Sequence, residues 1–140
     1  IPPEIALTMV NNIFAFNTGP HIGDGPTGIY LGPKVRLTEN HNLFFSREDG
    51  EIQAEFVPRA DKVFSRAEIL DGNWTTASGQ GTGDVAFDPQ FTAPWPNVDL
   101  GLSVGSPAAD AGSDAPAPST DIAGTARPQG SAPSIGAYER

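Results

Sequence analysis

Cysteine is absent from this sequence of 140 residues. Its absence excludes disulfide staples, thiolate metal sites and cysteine nucleophiles, and leaves the redox compartment undecided. Positive charge is scarce. Eight Lys and Arg stand against 17 Asp and Glu, a formal charge of −9, which repels phosphate backbones and anionic lipids and argues against nucleic acid as a partner. No apolar run approaches the roughly 20 residues that span a bilayer, so no transmembrane segment is expected. The only histidines, His21 and His41, fit no metal-ligand spacing. Glycine and proline are abundant instead, at 16 and 14 positions, and they exclude long helices. The sequence opens Ile1-Pro2-Pro3 with neither an initiator Met nor a signal peptide, as a mature or processed piece does.

What is present is a repeat. Residues 5–16, IALTMVNNIFAF, align without gaps on residues 35–46, VRLTENHNLFFS. Leu7 matches Leu37, Thr8 matches Thr38, Asn12 matches Asn42 and Phe14 matches Phe44. Ile5, Leu7 and Met9 alternate with Ala6, Thr8 and Val10, which is strand periodicity. Each unit predicts a strand, a polar corner at Asn11-Asn12 or His41-Asn42, and a second short strand. Between the units, Gly28 to Leu31 supplies a third strand after a loop at 18–27. A strand, a corner, two more strands and a return describe one coil of a solenoid, whose coils stack at about 4.8 Å. Asn12 is expected above Asn42, its amide donating and accepting along the ladder. Residues 54–57 read as a strand, 63–70 as a strand or an irregular piece, and 71–83 as loop.

The second half carries ordered motifs: Asp88-Pro89-Gln90-Phe91, then Asp99 to Ser103, Gly105 to Gly112, Thr120 to Gly124, Arg127-Pro128-Gln129-Gly130, and Ile135-Gly136-Ala137-Tyr138-Glu139. In order and spacing these resemble the C-terminal region of secreted bacterial right-handed parallel β-helix proteins, pectate-lyase-like solenoids of the choice-of-anchor type. Ala109 stands where that family has Ile, and Ala123 where it has an acidic residue. The resemblance implies an all-β fold: the last few coils of a parallel β-helix plus an irregular C-terminal cap. Residues 1–70 are then β-helix coils, 71–105 a long loop with the final coil strands, and 106–140 the Pro/Ala/Gly-rich cap. Ile122, Ile135 and Tyr138 are expected to be buried there, and Arg127 to meet Asp110, Asp121 or Glu139.

The resemblance also implies candidate chemistry, since related solenoids include polysaccharide lyases and glycoside hydrolases. Arg36, Glu39 and His41, with His21, Asp24 and Lys34 nearby, are candidates for holding an acidic sugar or moving a proton, against the plainer reading of a solvated face. Trp74, Trp95 and Tyr30 are candidate stacking platforms, against the reading that they cover the core. No catalytic set and no cofactor is expected. Calcium is the one ion for which loop oxygens exist, at Asp71 with Asn73 or Asp110 with Asp114. Asn73-Trp74-Thr75 is a glycosylation sequon in an expected surface loop.

A short stack also exposes its first coil. Something is expected to cover Ile5, Leu7 and Met9: upstream coils, a cleaved companion chain or an identical subunit. The leading expectation is thus a non-catalytic structural or adhesive module at the cell surface or outside it, with polysaccharide as a possible ligand. The alternative is the end of an extracellular lyase or hydrolase whose cleft lies on other coils.

Overall fold

The computed structural model describes residues 5–16, 29–31, 35–46, 52–57, 60–93 and 98–140. The two repeat units form matching strands. Strand β1 (Ile5–Val10) pairs in parallel with β4 (Val35–Asn40), and β2 (Ile13–Ala15) with β5 (Leu43–Phe45). The register sets Leu7 beside Leu37, Thr8 beside Thr38 and Phe14 beside Phe44. Such a register is fixed by side chains, because a one-residue slip turns every inward residue outward. The Phe14 and Phe44 rings stack at 5.2 Å with 10° between their planes.

The solenoid expectation is corrected beyond this point. The described strands make four small sheets: the two parallel pairs, the order β3-β6-β7, and the pair β8-β9. A solenoid sheet needs each strand to run parallel between equivalents on both sides. Here β3 (Ile29–Leu31) pairs in parallel with β6 (Ile52–Val57), but β7 (Ala60–Phe64) turns back antiparallel onto β6. β8 (Phe91–Ala93) and β9 (Asp99–Leu102) are also antiparallel. Among the described residues no sheet continues as a solenoid, and the architecture is a small mixed α/β arrangement of short strands. Parallel contact with the second unit goes on only as isolated bridges, Asn40 to Thr82 and Leu43 to Val85.

Helices interrupt the stretch expected to be strand or loop. Helix α1 (Arg66–Leu70) starts at a capping box: Ser65 Oγ accepts from the Glu68 N–H, and the Glu68 carboxylate accepts from the Ser65 N–H. Helix α2 (Asn73–Ser78) lies between Gly72 and Gly79, both left-handed. Arg66 ties α1 to β5, its guanidinium 4.7 Å from the centre of the Phe45 ring and its Nη2 donating to the Ser46 carbonyl at 2.7 Å. The helices exist because Ile69 and Trp74 have somewhere to go. Both are buried in a core with Met9, Phe44, Ile52, Phe64 and Ala86, and Trp74 meets Phe64 edge-on at 5.2 Å.

Alternation along β2 and β5 divides the interior in two. Phe14 and Phe44 face that first core, while Ile13 and Leu43 face a second, with Leu102, Ala108 and Ile135. The tail from Ser106 onward packs against this second side, where the Gly136 N–H donates to the Asn11 carbonyl and the Ile135 N–H to the Ala108 carbonyl. Of the three side chains expected to be buried, Ile135 is, Tyr138 is half-buried, and Ile122 is 74% exposed.

One buried side chain ties these parts together. Asn42 Oδ1 accepts from the Asn12 N–H and from Asn12 Nδ2, and Asn42 Nδ2 donates to the Met9 carbonyl. Asn42→Ala strands the Met9 carbonyl in the interior and is expected to cost about 2–3 kcal/mol, against less than about 1 kcal/mol for Asn12→Ala on the exposed corner. Urea denaturation of both variants checks this, and equal losses contradict the ranking.

Candidate functional site

The corner of the repeat is where the polar chemistry concentrates. At the two corners the left-handed residues are Asn11 at 59° and His41 at 50°, each one position before the stacked asparagines. Each turn aims the following N–H at a side-chain oxygen one level further on. The Asn12 N–H reaches Asn42 Oδ1 at 3.0 Å, and the Asn42 N–H reaches Asp84 Oδ1 at 2.8 Å. Backbone bonds beside them run the other way: the Leu43 N–H donates to Asn12 O, and the Val85 N–H to Asn42 O. The side-chain acceptors alone form a one-way series, 84 to 42 to 12. It stops at Asn12, whose Oδ1 takes no donor among the described residues and whose side chain is exposed. No described strand pairs with the outer edge of β1 or β2, and on that edge Ile5 is 64% exposed.

The four residues offered for saccharide contact do not form a surface. Arg36 and His41 reach solvent to different degrees, but Glu39 is 2% and Trp74 1% exposed. The physical reason is register: Glu39 lies beside the buried Met9, so strand alternation turns it inward, and Trp74 is the helix side chain that closes the first core. Neither is a solvated face or a stacking platform. The sequon at Asn73 starts a helix and not a loop. His21, Asp24, Lys34 and Trp95 lie outside the described residues, as does the side chain of Tyr30.

Glu39 instead meets Asp84. The two carboxyl groups are within hydrogen-bonding reach of each other, and neither Glu39 oxygen nor Asp84 Oδ2 has a donor from elsewhere. Burial first, then the bond to Glu39 and its charge, push the Asp84 carboxyl up to about 9, although the Asn42 N–H pulls the other way. The segment carrying Asp84 is stitched to β4: Gln80 Oε1 accepts from the Glu39 N–H at 3.0 Å, the Gly81 N–H donates to Glu39 O, and the His41 N–H donates to Thr82 O. Gly81 is required there. Its φ is 82°, and a Cβ would sit 2.7 Å from Trp74 Nε1 and 3.0 Å from Asp84 Oδ2. The signal for this pair was in the alignment, where Glu39 takes the place of Met9 at an inward position.

In the tail, two carboxylates act as hubs. Asp121 Oδ1 accepts from the N–H groups of Ala123 and Thr125, and its Oδ2 from the Glu139 N–H. Glu139 accepts from the Gln129 and Ser134 N–H groups and pairs with Arg127, Nε to Oε2 at 3.3 Å. Arg127 Nη2 also donates to the Gly136 carbonyl. Of the three acids expected for Arg127, the partner is Glu139. Asp110 is exposed and lies against Gly130, where a Cβ would collide with its carboxylate. The turn needs no acid at Ala123, since Asp121 closes it alone.

A cleft of about 410 Å³ lies between the top corner and the tail, with Asn12, Phe14, Phe91, Leu100 and Tyr138 on its walls. Its lining is mainly apolar and aromatic, with the Asn11-Asn12 corner at its polar side and Ile13 and Phe14 of β2 among its walls. Among the described residues no group of three or more His, Cys, Asp or Glu is placed to hold a metal ion, and no helix is long and apolar enough to cross a membrane. No protein-family model, no curated protein and no solved structure matches this chain.

The tail generates two expectations. The Glu139 side chain is fully buried and that of Arg127 5% exposed, so Glu139→Gln leaves a guanidinium without its counter-charge and is expected to cost about 3–5 kcal/mol by denaturant titration. A cost below about 1 kcal/mol shows that the pair is solvated. The N–H of Glu139, then those of Thr125 and Ala123, hold Asp121 below its usual range despite desolvation. A depressed carboxylate contributes stability that is present above its unfolded value and lost as pH falls through the folded one. The melting temperature should therefore drop between about pH 5 and pH 3, and drop less in Asp121→Asn. Identical acid profiles for the two proteins rule out Asp121 as the cause.

Proposed function

We propose that the chain is a non-catalytic structural module of an extracellular or cell-surface assembly, joined to another polypeptide by strand addition at the outer edge of β1 and β2. The observation that carries this reading is the one-way series of side-chain acceptors that ends at an exposed Asn12. Asp84 and Asn42 each offer a side-chain oxygen to the N–H of the next corner, and Asn12, whose carbonyl is taken by the Leu43 N–H, offers its Oδ1 outward. An unpaired strand edge is a template for another chain, and strand addition is a recurrent way of binding extended polypeptide.

The chemistry of the partner follows from the repeat. It presents an extended segment parallel to β1, with a backbone N–H above Asn12 and an aromatic or aliphatic side chain above Phe14. The apolar cleft beside Phe14, Phe91 and Tyr138 supports a side chain of that kind. The extracellular setting rests on the resemblance of the motifs between Asp88 and Glu139. A saccharide-contacting face made of Arg36, Glu39, His41 and Trp74 loses two of its four residues to the interior, Glu39 and Trp74.

A labelled peptide of residues 35–46, which carries the unit's own pattern, serves as the probe. It is expected to bind saturably in fluorescence anisotropy, and Ile5→Lys on the exposed edge should weaken binding at least about tenfold. Light scattering of the protein alone shows whether a second copy takes the same place. A strictly monomeric protein that ignores both the peptide and the Ile5→Lys change sinks the proposal.

A further inference from the structure

We propose that Asp84 is a protonated carboxylic acid in the folded protein, donating its O–H to the buried Glu39 carboxylate, and that this proton latches the 79–85 segment onto β4. The argument begins with solvation. Glu39 is 2% exposed and no N–H or other donor reaches either of its oxygens. A buried carboxylate with nothing donating to it is heavily penalised, and two that meet cannot both stay ionised. Asp84 is the group positioned to solve this. Its Oδ1 already accepts from the Asn42 N–H at 2.8 Å, while Oδ2 has no donor of its own and is the oxygen left to carry the proton.

Among the described residues no cation is placed to substitute. The first core presents Met9, Ile69 and Trp74, the 79–85 segment presents Gln80 through its side chain, and Arg36 lies on the opposite face of β4 by strand alternation. The remaining basic group on this side is His41, whose ring lies against Gly83 and whose Nδ1 is 3.0 Å from Asn40 Oδ1. That ring is engaged in holding its own corner. Deprotonation balances simply: hydroxide takes the Asp84 proton as water, and two facing carboxylates remain.

The consequence is local release. Repulsion falls on a segment held by the Gly81 and His41 N–H bonds and by Gln80, and Asp84 also anchors the lower end of the corner series that leads to Asn12. Burial and Glu39 raise the Asp84 carboxyl to about 9. For a raised group the stabilisation is complete below the unfolded value and is lost as pH climbs towards the folded one. The segment should therefore loosen progressively as pH rises from about 4, the ordinary carboxyl value, to about 9.

The test uses the whole chain. In a Trp95→Phe background, Trp74 fluorescence and amide exchange at Gly81, Asp84 and Val85 are followed with pH. The wild-type pair is expected to lose at least about tenfold of its protection, corrected for base catalysis, before global unfolding. Asp84→Asn, which keeps a donor towards Glu39, should abolish that step. Because a variant can fail to fold, infrared spectroscopy of the unaltered protein gives an independent reading: a protonated-carboxyl carbonyl band at neutral pH that vanishes in alkali. No such band, an unchanged step in Asp84→Asn, or calcium ions restoring protection in alkali each overturns the proposal, the last by showing that the pair holds a cation and not a proton.

Discussion

The side chain of Asn42 is the constraint on which the described structure turns. It is wholly buried, it bonds upward to Asn12 and Met9, and its own N–H bonds downward to Asp84. A buried amide with all its partners in place rigidifies what surrounds it, and with any partner missing it destabilises. That asymmetry explains why three segments far apart in sequence share one register. Leu43 and Phe44, the next residues, then point to opposite cores, so the position of one polar corner decides where both apolar interiors lie.

Four acidic groups among the described residues are handled in two opposite ways. In the tail, Asp121 and Glu139 both accept from backbone N–H groups, which hold the Asp121 carboxyl below its usual range. At the corner, the Glu39 oxygens and Asp84 Oδ2 have no such donor, and burial beside Glu39 pushes the Asp84 carboxyl up. With a formal charge of −9 and little basic side chain to spare, a fold of this composition depends on its backbone to neutralise carboxylates. The tail is rich in turns for that reason. Its Asp121 turn and its Ser134 and Gln129 N–H groups present donors that a regular strand would have spent on a neighbour.

Much of the local geometry was legible because the signal repeats. The gapless match of 5–16 to 35–46 gave the parallel register, the Asn pair and the aromatic stack, since identical side chains at equal spacing want identical surroundings. The global class was not legible. A repeat of two units says how those units meet and nothing about β7 folding back or β8 pairing with β9, which depend on the chain that follows. The helices were missed for a different reason: composition at 71–83 reads as loop, while the capping pair Ser65 and Glu68 and the apolar Ile69 and Trp74 were the better guides. Ile122 was assigned inward from its apolarity alone, although the Asp121 turn that carries it projects it into solvent.

Asn11 and Ser113 are joined by a reciprocal pair of bonds, the Asn11 Nδ2 donating to Ser113 O and the Ser113 N–H donating to Asn11 Oδ1, across 102 positions. A contact that distant closes slowly, because the ends of a long loop must first find each other. During synthesis the first corner leaves the ribosome well before its clasp has been made. The early strands must therefore wait in a half-built form, with their second apolar side bare, and that interval is when the nascent protein is most exposed to aggregation and most in need of a chaperone.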